Sequence, residues 1–97
     1  MKRAALNEGE LEKALQDLVG WQVQAGKLHK EFKFKSFATA MGWMVSVAIE
    51  ADKLDHHPEW RNVYNKVVVD LVTHDLDNKV STFDVELAKR MDALTVH

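Results

Sequence analysis

Leu11, Ala14, Leu15 and Leu18 recur at helical intervals behind Asn7 and Glu10, whose three-residue spacing is that of a capping box. This predicts a first helix that closes at Gly20. The period then changes to two. "WQVQA" (Trp21 to Ala25) alternates apolar with polar, and after Gly26-Lys27 the segment "LHKEFKFK" sets Phe32 and Phe34 on one face and Lys33 and Lys35 on the other. Such alternation predicts a hairpin with one buried face. From Ser36 helical spacing returns, with Phe37, Met41, Met44, Ala48 and Asp52 on one stripe of a helix reaching about Leu54. Trp43, Val45, Val47 and Ile49 carry apolar character round the rest of that helix, more than one sheet face needs. A second buried surface is therefore expected, and an oligomer interface there is favoured over enclosure within one subunit. Either Val45 or Val47 is then a candidate to face the partner.

Pro58 disfavours the α region at His57, so the helix should end just before the histidines. A short strand near Glu59 to Val63 and a longer one near Lys66 to His74 follow. In the longer strand Val67, Val69, Leu71 and Thr73 face one way, and Val68, Asp70, Val72 and His74 the other. After the turn-like "DLDNK", Ser81 can cap a last helix. Val80 and Val85 are spaced as a hydrophobic staple, and Phe83, Leu87, Met91 and Leu94 form its buried stripe. The order α-β-β-α-β-β-α predicts an α+β fold, a four-stranded antiparallel sheet with three helices on one face.

Composition narrows the function classes. A chain of 97 residues supports one core, and residues 1–97 are read as a single domain. The net charge of -2, with basic residues scattered, leaves no footprint for direct nucleic-acid binding. The absence of cysteine removes disulfides, thiolate metal sites and a cysteine nucleophile. The longest largely apolar run, Phe37 to Ile49, is too short to span a bilayer, and the start lacks an apolar signal region. No membrane association and a cytoplasmic location are expected, with a nuclear one as well if the source is eukaryotic.

Candidate chemistry concentrates in "DKLDHHPEW", Asp52 to Trp60, and in His74. Histidine exchanges protons near neutrality, and Asp52, Asp55, Glu59 and Asp75 lie close in sequence to His56, His57 and His74. Such a group suits a reaction that protonates a leaving oxygen and removes a proton elsewhere. A zinc or iron site is the competing chemistry, but no H-E-x-x-H or H-x-H spacing occurs. The plain alternative makes His56 a helix C-terminal cation, His57 a junction residue and His74 an exposed strand end. Asp84, three residues after Ser81, stands where a capping-box acid belongs. Trp21 and Trp60 read as core, while Tyr64 reads equally as core or as a stacking surface.

Asp52, His56-His57-Pro58, Tyr64, His74 and Asp84, with the flanking "LDHHPEW", "NVYNKV" and "TH", together resemble the pterin-4a-carbinolamine dehydratases, also called 4a-hydroxytetrahydrobiopterin dehydratases. The resemblance runs over nearly the whole chain. It implies loss of water from a 4a-hydroxytetrahydropterin to give quinonoid dihydropterin in tetrahydrobiopterin recycling, with no metal or other cofactor. It further implies that His56, His57 and His74 are catalytic. Asp52, Asp55, His56, His57, Thr73 and His74 would hold the pterin, with Asp84 and Pro58 as supporting candidates. Asp52 stands where animal members usually have Glu, and Val72 where Ser commonly precedes Thr-His. The resemblance also implies a homotetramer built as a dimer of dimers. Animal members serve in addition as dimerisation cofactors of a homeodomain transcription factor, so a non-catalytic coactivator or oligomeric scaffold is the alternative function.

Overall fold

Asn7 and Glu10 form the reciprocal cap that their spacing predicts: Asn7 Oδ1 accepts from the Glu10 amide at 2.8 Å, and Glu10 Oε1 accepts from the Asn7 amide at 2.9 Å. Helix α1 runs Glu8–Asp17 in the computed structural model, which describes residues 1–95. Strands β1 (Gln22–Gln24) and β2 (Lys27–Lys33) follow, then α2 (Phe37–Leu54), β3 (Glu59–Val63), β4 (Lys66–Leu71) and α3 (Thr82–Ala93). The sheet is antiparallel in the order β1-β2-β4-β3, and its helices lie on one face, as the periodicity predicts. Ala25 and Gly26 make the two-residue turn between β1 and β2, both at positive φ, a form whose twist suits a hairpin.

Beneath the helices, Leu28 and Phe32 from β2 and Val67, Val69 and Leu71 from β4 meet Trp43 and Val47 of α2 and Leu87 and Met91 of α3. Trp43 lies against Phe32, with ring centroids 4.4 Å apart, and its indole N–H donates to the Met91 carbonyl at 3.1 Å. Trp21 is core, as expected, and its indole N–H finds Asp92 at 3.0 Å. Trp60 is half-buried, with its ring centroid 6.2 Å from that of Trp43.

The buried face of α2 differs from the stripe read off the sequence. Ala40, Trp43, Val47 and Ala51 face the core. Phe37, Ala48 and Asp52 are exposed, while Met41 and Met44 are half-buried. Apolarity could not choose the face, because the helix is apolar almost all round. Small side chains at Ala40 and Ala51 let the backbone approach its neighbours, leaving the bulkier Phe37, Val45 and Ile49 outside. Val47 is fully buried, whereas Val45 is 63% exposed, so only Val45 remains a candidate to face a partner.

Strand β4 is also shorter than its alternation implies, ending at Leu71 rather than His74. Thr73 pairs instead with Lys79 as an isolated bridge, and His74–Leu76 form a 3-10 turn. Asp77 and Asn78, both at positive φ, then reverse the chain, a conformation that Asp and Asn adopt more readily than most residues.

Candidate active site

Helix α2 stops where Pro58 requires, and its stop aims the histidines. Asp55 takes the left-handed conformation, its amide donating to the Asp52 carbonyl, while the His56 amide donates to the Ala51 carbonyl; both distances are 3.1 Å. This is the Schellman pattern with Asp in the place glycine usually holds. The chain emerges with His56 turned inward and His57 outward: His56 is buried, and the His57 side chain is 60% exposed.

His56 meets the N-terminal cap of α3. Asp84 is fully buried and does two things at once. Its Oδ2 accepts from the Ser81 amide at 2.8 Å, completing the cap, and from the Thr73 hydroxyl at 2.8 Å. Its Oδ1 accepts from His56 Nε2 at 2.5 Å. Because Thr73 gives its one hydroxyl proton to Asp84, the Ser81 hydroxyl donates to Thr73 Oγ1, 2.6 Å away. One carboxylate thus completes the α3 cap, as its spacing after Ser81 predicts, and also holds His56. Thr73 is buried in this network and forms the support of the cleft wall rather than its surface.

The two remaining imidazoles reach solvent. His57 Nε2 lies 3.0 Å from Asp52 Oδ1, so the shorter aspartate still reaches the following loop. His74, with its side chain 70% exposed, sets Nε2 3.1 Å from Glu59 Oε2 and Nδ1 3.0 Å from Asn78 Oδ1. The Asn78 contact is a hydrogen bond, whereas Glu59 meets the ring at ion-pair distance, off the direction in which the Nε2 proton would point. Glu59 is fastened from its other oxygen by Lys27, 2.5 Å away. That hydrogen bond, with the charges of Glu59 and Asp70, raises the Lys27 pKa above the usual lysine value, while loss of water opposes it. Glu59 is read from sequence as a carboxylate near the histidines but not as the partner of His74, and Asn78 is not among the sequence-derived site residues. Their partnership with His74 arises from the 3-10 turn, which carries no strong local signal.

Asp55, His56, His57, Val72, His74 and Asp75 line one open cleft of about 240 Å³. The fold thus brings together all three candidate histidines and Asp55. Asp52 stands behind His57, Pro58 is half-buried between His57 and β3, and Tyr64, 65% exposed in the β3–β4 turn, lies outside the cleft. Val72, where a serine would offer a hydroxyl, gives the cleft an apolar wall. No group of three or more His, Cys, Asp or Glu side chains that could hold a metal ion occurs among the described residues. No helix among them is long and apolar enough to cross a membrane.

An α+β domain that presents two solvent-facing imidazoles and a third locked to a buried carboxylate belongs to the class of proteins equipped for acid-base chemistry on a small molecule. The chain is a member of the family described as pterin 4 alpha carbinolamine dehydratase, whose sequence profile matches residues 4–94. Proteins of Brucella ovis and Brucella canis, provisionally named pterin-4-alpha-carbinolamine dehydratases, are each 47% identical over 96 residues, covering 97% of this chain and 98% of theirs. A crystal structure of a transcriptional coactivator/pterin dehydratase from Brucella melitensis superposes with a TM-score of 0.89 at 46% identity, covering 94% of this chain and 98% of that one.

Proposed function

We propose that this protein dehydrates pterin 4a-carbinolamine to quinonoid dihydropterin and water, as a hydro-lyase in tetrahydrobiopterin recycling. The observation that carries the proposal is the convergence of His56, His57 and His74 on one cleft. A 4a-hydroxyl leaves poorly as hydroxide, so a donor that protonates it as the C–O bond breaks lowers the barrier, and removal of the N5 proton completes the imine. His57 and His74 are the groups with access to perform these transfers. His56, its Nε2 committed to Asp84, holds its ring in a set plane and adds a polar edge to the wall. Asp52 and Glu59 orient the two exposed rings, and Asp55 is a candidate contact for the pterin ring. The test is dehydration of freshly generated carbinolamine, followed by the absorbance change of the pterin: the protein should exceed the spontaneous rate in proportion to its concentration. A rate independent of protein would remove the proposal.

Proton transfer by these side chains requires no metal or other cofactor. Elemental analysis should find no stoichiometric zinc or iron, and a chelator should leave turnover unchanged. Activity lost on chelation and restored by metal would instead make the histidines ligands.

We treat residues 1–97 as one cytoplasmic domain that assembles with copies of itself, as a tetramer built from two dimers. The outer face of α2 supports assembly, with Phe37 49%, Val45 63% and Ile49 55% exposed along one helix. Clustered large apolar side chains of this kind mark association surfaces. Light scattering should give a mass near four times 11.1 kDa. Val45→Glu should lower that mass while leaving the circular dichroism spectrum unchanged. A monomeric parent at micromolar concentration would overturn the assembly. The same face, and the coactivator description of the Brucella melitensis relative, support a second reading in which this protein also binds a transcription factor. A non-catalytic scaffold would leave the three converging imidazoles without a task.

A further inference from the structure

The N-terminal segment before α1 is placed by Val80, just before α3, and by Thr82, the first residue of α3. The Leu6 amide donates to the Val80 carbonyl and the Thr82 amide to the Ala4 carbonyl, both at 3.0 Å, while the Thr82 hydroxyl donates to the Lys2 carbonyl at 2.6 Å. Arg3 is therefore held beside the cap that contains Asp84. Its guanidinium reaches in two directions. Nη1 donates to Asp75 Oδ2 at 3.0 Å, and Nη2 donates to the Asp55 carbonyl at 3.2 Å. Its carbon lies 4.6 Å from the centre of the Phe83 ring, which meets His56 edge-on with centroids 5.9 Å apart.

Asp55 immediately precedes the His56-His57 pair, and Asp75 immediately follows His74. Both residues line the cleft. One planar group thus ties together the two loops that carry the histidines, from a segment 52 residues from one contact and 72 from the other in sequence. We infer that Arg3 is a positioning residue that sets the spacing of the two histidine-bearing loops by bridging the Asp55 carbonyl and the Asp75 carboxylate. The kinetic consequence rests on the proposed dehydratase reading, whereas the effect on the loops does not. An ion pair whose side chains are 30% and 65% exposed contributes little to global stability. Its effect falls on geometry, where an ångström of misplacement can cost a large factor in rate. The rigid fork of arginine makes two directed contacts at once, which the single ammonium of lysine does not reproduce.

The experiment compares the full chain, untagged at its N-terminus, with Arg3→Gln and Arg3→Lys. Amide hydrogen exchange in residues 74–78 should be about tenfold faster in both variants, with a nearly unchanged thermal midpoint. Turnover number should fall by about tenfold in both. In a His74→Ala background, Arg3→Gln should lower turnover by less than it does in the parent, because one of the two imidazoles whose spacing it sets is then gone. Parent-like exchange in these loops would overturn the inference whether or not the parent proves to be a dehydratase. Restoration of turnover by Arg3→Lys would show that charge alone matters and would overturn the bridge. Parent turnover with no dehydration at all would count against the function, and the exchange measurement would still decide the role of Arg3.

Discussion

His57→Ala should lower the turnover number by roughly 10² or more while the protein remains folded and assembled. The His57 side chain is 60% exposed and its hydrogen-bond partner, Asp52, is more exposed still, so its removal leaves no buried group unpaired and opens no core cavity. Circular dichroism and mass should match the parent. What the variant loses is an imidazole at the cleft mouth, held in place by Pro58 on one side and the left-handed Asp55 on the other. If that ring transfers a proton in the transition state, turnover falls more than the Michaelis constant changes. A ring that only binds the pterin would raise the Michaelis constant and spare the turnover number, and that split would reassign His57 to binding.

Asp84→Ala should carry the largest stability penalty of any substitution at the site, about 3–5 kcal/mol. The carboxylate is fully buried, and its removal would strand three donors: the Ser81 amide, the Thr73 hydroxyl and His56 Nε2. It would also remove half of the α3 cap, on which the packing of Leu87 and Met91 depends. Chemical denaturation is the measurement, with the midpoint expected to fall at an unchanged slope. A loss below about 1 kcal/mol would mean that water or a neighbour replaces the carboxylate, and the network would not be what fixes His56. In the fraction that remains folded, turnover should fall as well, since His56 loses its anchor.

The fold was legible wherever one local rule dominated. Both capping boxes, at Asn7-Glu10 and Ser81-Asp84, and the stop of α2 before Pro58 follow from side chains within a few residues of the backbone they serve. The position of His56 and His57 just past a helix end was legible as well, since both follow the stop directly. Legibility failed where the choice lay between equally apolar alternatives, as in α2, whose core face is defined by the small Ala40 and Ala51 rather than by hydrophobicity. It failed again after Leu71, because Val72, Thr73 and His74 continue the strand alternation, but the Thr73–Lys79 bridge and the bonds of Thr73 to Asp84 and Ser81 pull the chain into a turn. The pairing of Glu59 with His74 and the place of Arg3 were hidden for a related reason. Each acts on a histidine loop from a different element, and only the assembled sheet and N-terminal segment bring them there.

The most direct test of histidine proton transfer is the turnover of pterin 4a-carbinolamine by the double variant His57→Ala/His74→Ala, measured beside the parent at equal concentrations of folded protein. The expected result is a parent rate well above the spontaneous reaction and a double-variant rate that approaches it, with both proteins alike in circular dichroism and mass. A folded double variant that turns over substrate at the parent rate would contradict the assignment of catalysis to these two imidazoles.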